Sequence, residues 1–405
     1  MNTAYILLWF PNPTETFIFR EVENLRRQGL ELRVYTLYGP WRRNLSREMS
    51  ATSVAVHRLG ARALFRMLGD VVHWYRRKPA MVRGLFREAW LRRWRGVEKT
   101  AENLWAFLAG FHLARRAEAD GIGHLHAPWA NGPATAAWVA SRLTGTPFSF
   151  TARAWDIYPP DALINEKVRE ARFVRSETRA NISHLMKLTG EPEDKFRLTH
   201  NGVPFQPHED AALLMRDPVQ LLSVGRLVRK KGFDQLLRAL ALLAGEGVRV
   251  ELTIAGSGPL RRPLQRLARQ LNIAGQVNFA GFVSYDEVGA LFQRADLMVM
   301  PCVIAPSGDR DGIPTVIMEA LMHRLPVIST DVSGIPELIE HEVTGLLVPE
   351  KDPEALAAAI KRLAGDRDFA LEIASRGRER VRERFNPEIN HRAIFELYRT
   401  IGPEG

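Results

Sequence analysis

Short apolar runs alternate with amphipathic stretches of helical period along the whole chain, the pattern of βαβ units and parallel sheets. In the first half, Tyr5-Ile6-Leu7-Leu8-Trp9-Phe10 predicts a buried strand over 5–10. Thr14-Glu15-Thr16 opens a helix to about Gln28, its acid in the first turn where it suits the dipole, and Gly29 closes it. Leu32–Leu37, Gly123–His126 and Pro147–Thr151 predict further strands or strand ends. The second half repeats the scheme. Strands over Val219–Val224, Val250–Ala255, Val277–Ala280, Leu297–Met300 and Leu325–Ser329 each run into a small or turn residue. Helices are expected over about 233–244, 315–323 and 388–400. In open α/β sheets, ligands bind at the carboxyl ends of such strands.

The 405 residues suit two domains at roughly 150 residues each. Gly202-Val203-Pro204-Phe205-Gln206-Pro207-His208-Glu209-Asp210 is the expected hinge, which sets domains at 1–205 and 206–385, with a last helical segment over 386–405. The N-terminus has neither a basic n-region nor a small-residue cleavage site, and no stretch approaches the ~20 apolar residues of a spanning helix. Leu104–Phe111 is too short. The one cysteine, Cys302, excludes an internal disulfide and fits a reducing compartment. A cytoplasmic protein, at most peripheral at the membrane, is expected.

Charge changes this picture in one place. Net charge is +10, which reads either as a coding bias towards Arg or as an anionic partner. Residues 61–96 carry ten Arg or Lys against Asp70 and Glu88, with Trp74, Trp90 and Trp94 interleaved among aliphatics. A basic helix pair with interfacial tryptophan suits an anionic membrane surface. The alternative is a solvated helix face over an ordinary core. No nucleic-acid module accompanies the basic run, so nucleic acid is not an expected partner.

Chemistry concentrates in the second half. Gly225-Arg226-Leu227-Val228-Arg229-Lys230-Lys231-Gly232 joins a strand to a helix, so Arg226 and Lys231 can converge on one anion. Gly256 and Gly258 end the next strand in the same way. Asp311-Gly312-Ile313-Pro314-Thr315 leads into a helix that carries Glu319. Pro314 fits the first helical position, and the helix end at Thr315 suits a phosphate. Asp311 would face a group on one side of that phosphate and Glu319 a ribose diol on the other, so the pattern reads as a nucleotide-sugar site. The plain alternative makes Asp311 a turn residue and Glu319 a solvated one. Asp309-Arg310-Asp311 spells the Asp-x-Asp of metal-dependent transferases. Arg226, Lys231 and the helix end already supply positive charge, so no metal and no cofactor are expected.

These residues carry a resemblance. From about Leu221 to Leu356 the chain resembles the donor domain of family 4 glycosyltransferases with the GT-B fold. The matching features are Arg226 with Lys231, Ala255–Leu260, Val277–Val283, the acid-x7-acid pair Asp311 and Glu319, and Gly334–Ile339 followed by Thr344–Val348. In the first half, Phe10-Pro11, Thr14–Ile18, His124-Leu125-His126 and Pro147–Ala152 are similar to exopolysaccharide transferases of the colanic-acid type. The resemblance implies an α/β protein of two doubly wound, Rossmann-like domains facing across a cleft. It implies a retaining, metal-independent hexosyltransferase that uses a UDP- or GDP-sugar. The acceptor would be an oligosaccharide, preferably lipid-linked, in exopolysaccharide or envelope glycan synthesis. An epimerase of the same fold and a silent membrane-associated scaffold are the rival readings.

The resemblance further implies Phe282 and Val283 beside Gly256, Gly258, Gly312, Ile313, Pro314, Thr315 and Glu319 in donor binding. It makes His126, Asp311, Arg226 and Lys231 the catalytic set. Thr14, Glu15, Arg153 and Asp156 fall on the acceptor side, and the last helix packs back on the first domain. Two residues depart from the pattern. Asp311 stands where relatives commonly have Glu, and Arg153 where many have His. Arg153 stays protonated, which suits anion binding rather than base catalysis.

Overall fold

The computed structural model describes residues 2–40, 45–90, 97–203 and 215–400. Two compact units result, one from residues 1–199 with 388–405 and one from 200–387. The expected hinge beyond Val203 lies outside the described residues.

The first unit holds a seven-stranded parallel sheet. Its strands are β1 (Thr3–Leu7), β2 (Leu32–Thr36), β3 (Val56–Arg58), β4 (His124–Ala127), β5 (Phe148–Ala152), β6 (Val174–Ser176) and β7 (Phe196–Leu198), in the order β3-β2-β1-β4-β5-β6-β7. The second unit holds six parallel strands, β8 (Val219–Val224), β9 (Val250–Ala255), β10 (Val277–Gly281), β11 (Leu297–Met300), β12 (Val327–Thr330) and β13 (Leu346–Val348). Their order is β10-β9-β8-β11-β12-β13. Strands β1, β4, β5, β11 and β12 are buried along their whole length, as a sheet covered by helices on both faces requires. In each unit the order reverses beside the first strand, between β1 and β4 and between β8 and β11. Such a switch point opens a crevice at the carboxyl ends of the strands.

Local boundaries depart from the sequence reading in instructive places. The first strand stops at Leu7, because the chain bends before Phe10-Pro11. The following helix is Thr16–Arg27, with Glu15 as its cap and no acid in its first turn. Its apolar face buries Ile18, Phe19, Val22 and Leu25 together with one charged residue, Glu21. Leu104–Phe111 belongs to the long helix Val97–Ala119. Among the described residues no helix is long and apolar enough to cross a membrane.

The last helix, Pro387–Arg399, contributes Ile394 and Tyr398 to the core of the first unit. Its polar fastening runs beneath β1. Tyr398 and Tyr5 hydroxyls lie 3.0 Å apart, and Tyr5 donates to Glu21 Oε1 at 2.8 Å. Arg175 donates to Glu21 Oε2 at 2.6 Å and to Thr151 Oγ1 at 3.0 Å. Burial works to raise the Glu21 carboxyl, but Arg175 outweighs it and holds the group below the usual carboxylate range.

Three buried histidines surround this network. Burial pushes His124 down to about 3, His391 down to about 4, and His126 well below the usual imidazole range. All three are therefore neutral when folded, whereas in the unfolded chain they take a proton near pH 6.5. Their stabilisation is complete above about pH 6.5 and drains away as pH falls towards 4. Each should cost up to about 1.4 kcal/mol per pH unit below that point. Denaturant titrations at pH 7.5 and 5.0 should show a marked loss of stability, and equal midpoints at the two pH values would contradict the neutral-histidine assignment.

Candidate functional site

The second unit gathers its loops at the carboxyl ends of β8, β9 and β10. Gly225 N–H donates to Ala255 O at 2.9 Å, Leu227 N–H to Ser257 O at 2.9 Å, and Gly256 N–H to Gly281 O at 2.6 Å. Only glycine serves at Gly256, where φ is +146° and a Cβ would sit 1.9 Å from Gly225 O. Gly258 lies on the same turn, exposed. Phe282 follows β10 with half its surface exposed, and Val283 beside it is half-buried.

The basic segment then crosses to β11. Arg229–Lys231 forms one tight turn, and Gly232 reverses the chain into helix Phe233–Gly245 at a φ of +66°. A Cβ there would lie 1.8 Å from Pro301 O, so the turn is pressed against the end of β11. Val303 N–H donates to Lys230 O at 2.9 Å and fixes the contact. Both ammonium groups thereby meet the acidic loop. Lys231 Nζ is 2.7 Å from Asp311 Oδ2, and Lys230 Nζ is 3.5 Å from Asp311 Oδ1 and 3.0 Å from Asp309 Oδ1. The Cys302 thiol donates to Asp311 Oδ2 at 3.7 Å.

Electrostatics keep this cluster ionised. Burial works to raise the Asp311 carboxyl, but Lys231 and then Lys230 outweigh it and hold it below its ordinary value. Burial works to lower Lys231, and Asp311 outweighs that in turn and raises it. Burial, and next Asp311, push the Cys302 thiol up to about 12, so it stays neutral. Arg226 is different. It is exposed and its side chain forms no hydrogen bond or ion pair with the described residues, so its guanidinium is available to an anion from solution. Among the described residues no group of three or more His, Cys, Asp or Glu is placed to hold a metal ion.

Helix Thr315–Met322 begins beyond this loop. Pro314 is its cap, with φ −61° and ψ 121°, and not its first helical residue as the sequence suggests. Its extended ψ turns the chain into the helix, whose first N–H groups have no preceding turn to bond. Gly312 and Ile313 are half-buried before it, and Glu319 is half-buried one turn inside. Lys230 is the residue the sequence reading missed. The Lys-Lys doublet was its signal, but a doublet does not say which ammonium turns inward.

The first unit places its candidates on the carboxyl edge of its sheet, with two corrections. His126 lies within β4 and is fully buried. Its Nδ1 is 2.8 Å from Ser149 Oγ, shared with His124 Nε2 at 2.7 Å, and its Nε2 is 3.2 Å from Thr151 Oγ1. Its ring packs on Tyr5 and Tyr398. Both ring nitrogens are occupied in the core, so His126 is no surface acid or base. Arg153 is also buried, not open to an anion. Its guanidinium donates to Glu177 at 2.7 Å and to Pro128 O at 3.2 Å, and lies over the rings of Phe17 and Trp129 at 4.3 and 5.3 Å.

Asp156 accepts from the N–H groups of Arg153 and Ala130, and burial raises its carboxyl to about 7. It shapes the loop after β5. Thr14 is exposed and bonds Asn12 through its N–H and hydroxyl, while Glu15 caps the first helix. Phe17, Trp129 and the exposed Trp155 bring aromatic surface to this edge, unforeseen because they come from three separate segments of the chain.

Residues 206–380 match the family described as glycosyl transferases group 1. Over 99% of this chain and 100% of the relative, the chain is 30% identical to the putative colanic acid biosynthesis glycosyltransferase WcaL of Escherichia coli (strain K12). It is 36% identical over 218 residues to the amylovoran biosynthesis glycosyltransferase AmsK of Erwinia amylovora, and there it spans about half of the relative, 53% of each chain. A glycosyltransferase from Rickettsia africae superposes with a TM-score of 0.74 at 16% identity, covering 100% of this chain and 99% of that one. Anabaena HepE in complex with UDP gives 0.73 at 17% identity, with 99% and 100% covered. At such identities the likeness concerns the fold, which is GT-B. The full-length relation and the family match together establish that the chain belongs to the group 1 glycosyl transferases.

Proposed function

We propose that the chain is a retaining, family 4 hexosyltransferase that moves a sugar from a UDP- or GDP-sugar to a hydroxyl of a lipid-linked oligosaccharide, at the inner face of the cell membrane, during exopolysaccharide assembly. The observation that carries this reading is the ionised Lys230, Lys231 and Asp311 cluster at the β8/β11 switch point, with Arg226 open beside it. A nucleoside diphosphate brings the negative charge that this edge lacks. Arg226 takes it directly, Lys231 turns from Asp311 to share it, and the helix end at Thr315 adds its dipole. Asp311 then orients the sugar, Glu319 holds the ribose, and Phe282 and Val283 flank the base. Relatives support the donor class: HepE is seen with UDP-glucose, and a mycobacterial relative is named as GDP-mannose-dependent. The names of WcaL and AmsK support the exopolysaccharide assignment.

The chemistry follows from the charges. The bond from the anomeric carbon to the diphosphate oxygen breaks, and the nucleoside diphosphate leaves with the electron pair. Arg226 and Lys231 stabilise that developing charge. The acceptor oxygen bonds the same carbon on the same face, and its proton passes to the departing phosphate oxygen. Asp309 and Asp311, the carboxylates that would hold a bridging metal, are both engaged by Lys230. The reading therefore assigns charge neutralisation to protein cations.

Three outcomes are expected. Arg226→Ala should lower kcat/KM by about 10²- to 10³-fold and abolish the thermal shift given by donor, and Glu319→Ala should weaken donor binding. Unchanged turnover and shift in both variants would remove the assignment. The shift given by UDP- or GDP-sugar should survive EDTA, and a shift that needs Mg²⁺ or Mn²⁺ would show the metal-free grip to be wrong. Asp311→Asn removes the charge that raises Lys231, so the pH above which UDP or GDP binding fails should move down. Calorimetric titrations between about pH 7 and 10 would reveal it, and an unmoved limit would mean that Lys231 does not grip phosphate.

A further inference from the structure

Residues 61–96 were expected to meet a membrane through tryptophan, but the one tryptophan among them whose side chain is described faces the core. Trp74 is fully buried, and its indole N–H donates to Phe111 O at 3.1 Å. The expectation for Trp90 and Trp94 falls outside the described side chains. Helix Leu64–Arg77 buries Met67, Asp70 and Trp74 on one face. Asp70 is no exposed acid, since Arg115 and His112 each reach it at 2.7 Å.

A second face of the same helix is apolar and open. Phe65 is 84% exposed, and Leu64, Leu68, Val72 and Tyr75 are each between 38% and 49% exposed. At ~100° per residue, these five fall within an arc of about 100°. Met81, in the adjoining helix Pro79–Trp90, is exposed as well. Six of the eleven large apolar side chains exposed among the described residues therefore lie between 64 and 81, a concentration and not the usual scatter.

The charge around this stripe has one sign. Arg62, Arg66, Arg76, Arg83 and Arg87 are exposed, and none forms an ion pair with a described residue. Arg77 is the exception, held by Glu118 at 2.7 Å. An apolar stripe calls for a non-aqueous partner, and unneutralised arginines beside it call for anionic headgroups. We propose that the Leu64, Phe65, Leu68, Val72 and Tyr75 face docks on an anionic lipid bilayer, with Arg62, Arg66 and Arg76 on the lipid phosphates. This deepens the membrane part of the function proposed above and rests on it for its purpose, since a lipid-linked acceptor is presented at such a surface.

Flotation of the full chain at low salt, with phosphatidylcholine vesicles and with vesicles containing phosphatidylglycerol, tests the assignment. The chain should float with the anionic vesicles alone. Phe65→Glu, Leu68→Glu and Val72→Glu together should lower the bound fraction by at least about tenfold. These side chains are exposed, so circular dichroism and the thermal shift with donor should match the unmodified chain. Arg62→Gln, Arg66→Gln and Arg76→Gln should erase the preference for anionic lipid. A chain that floats with neither vesicle, or a triple glutamate variant that floats as well as its parent, overturns the proposal. So does a dimer in light scattering that the glutamates dissociate, because a second copy then covers the stripe. Donor binding without flotation removes the membrane surface alone. Flotation without donor binding removes the proposed donor site and leaves the surface standing.

Discussion

Two ammonium groups and a carboxylate taken largely out of water at the ends of β8 and β11 set the terms for the second unit. Asp311 is 14% exposed and Lys230 6%, so neither is solvated well enough to stand alone. Each depends on the other, and the surrounding backbone exists to keep them in reach. Gly232 lets the lysine turn press on Pro301, and Gly256 lets the next loop press on Gly225. A methyl group at either would push the loops apart and separate the charges. Cys302, made inert by burial and by the neighbouring carboxylate, gives Asp311 a weak donor from below without competing for a proton at neutral pH. The pair also sets up an exchange. In the proposed function an incoming diphosphate would offer Lys231 a stronger partner than a lone carboxylate, and Asp311 would be released to accept from hydroxyl groups.

The first unit solves a comparable problem for a different end. Glu21 and Arg175 form a buried ion pair at 2.6 Å, and removal of one partner from such a pair costs about 3–5 kcal/mol. The remaining capacity of Glu21 is filled by Tyr5, and Tyr5 hands the network on to Tyr398. A segment from the far end of the sequence is thus fastened by a directional hydroxyl contact as well as by apolar burial of Ile394. Apolar burial alone would hold the helix but not fix its register along β1.

The central strands were legible because buried parallel strands must be continuous apolar runs. Leu297–Met300 is such a run, whereas Val219–Val224 and Val250–Ala255 are interrupted by polar residues, with Gln220 half-buried and Glu251 exposed, and were legible from their length between turn residues. The candidate site was legible where it depends on loop chemistry, since the loops bring Lys231 onto Asp311 and leave Arg226 exposed. It was illegible where it depends on which way a side chain faces. His126 and Arg153 sit in motifs that suggest an exposed role, but alternation within β4 turns His126 into the sheet's packing, and the Glu177 carboxylate draws Arg153 inward. Neither partner is near in sequence. Pro314 shows the limit of a local rule, since proline suits both the cap and the first helical position and only ψ separates them.

The net charge of +10 repays the same treatment, because it is not spread evenly. Many arginines are neutralised locally, as Arg142 is by Glu88 and Glu170, Arg362 by Glu342, and Arg380 by Glu340. Those pairs lie on helix surfaces where charge serves solubility and contributes little else. Exposed arginines without an acid partner among the described residues also occur elsewhere, as at Arg27, Arg238 and Arg262, but the row of Arg62, Arg66, Arg76, Arg83 and Arg87 on one helix pair lies beside an open apolar stripe. A coding bias towards arginine would enrich both kinds of site alike. It would not withhold acids from one helix pair while supplying them elsewhere, nor set an open apolar stripe beside the uncompensated charges. Exposed leucine, phenylalanine and valine cost solubility in water, and unpaired arginines repel one another. In the docking proposed above, a partner both apolar and negative meets the two liabilities at once.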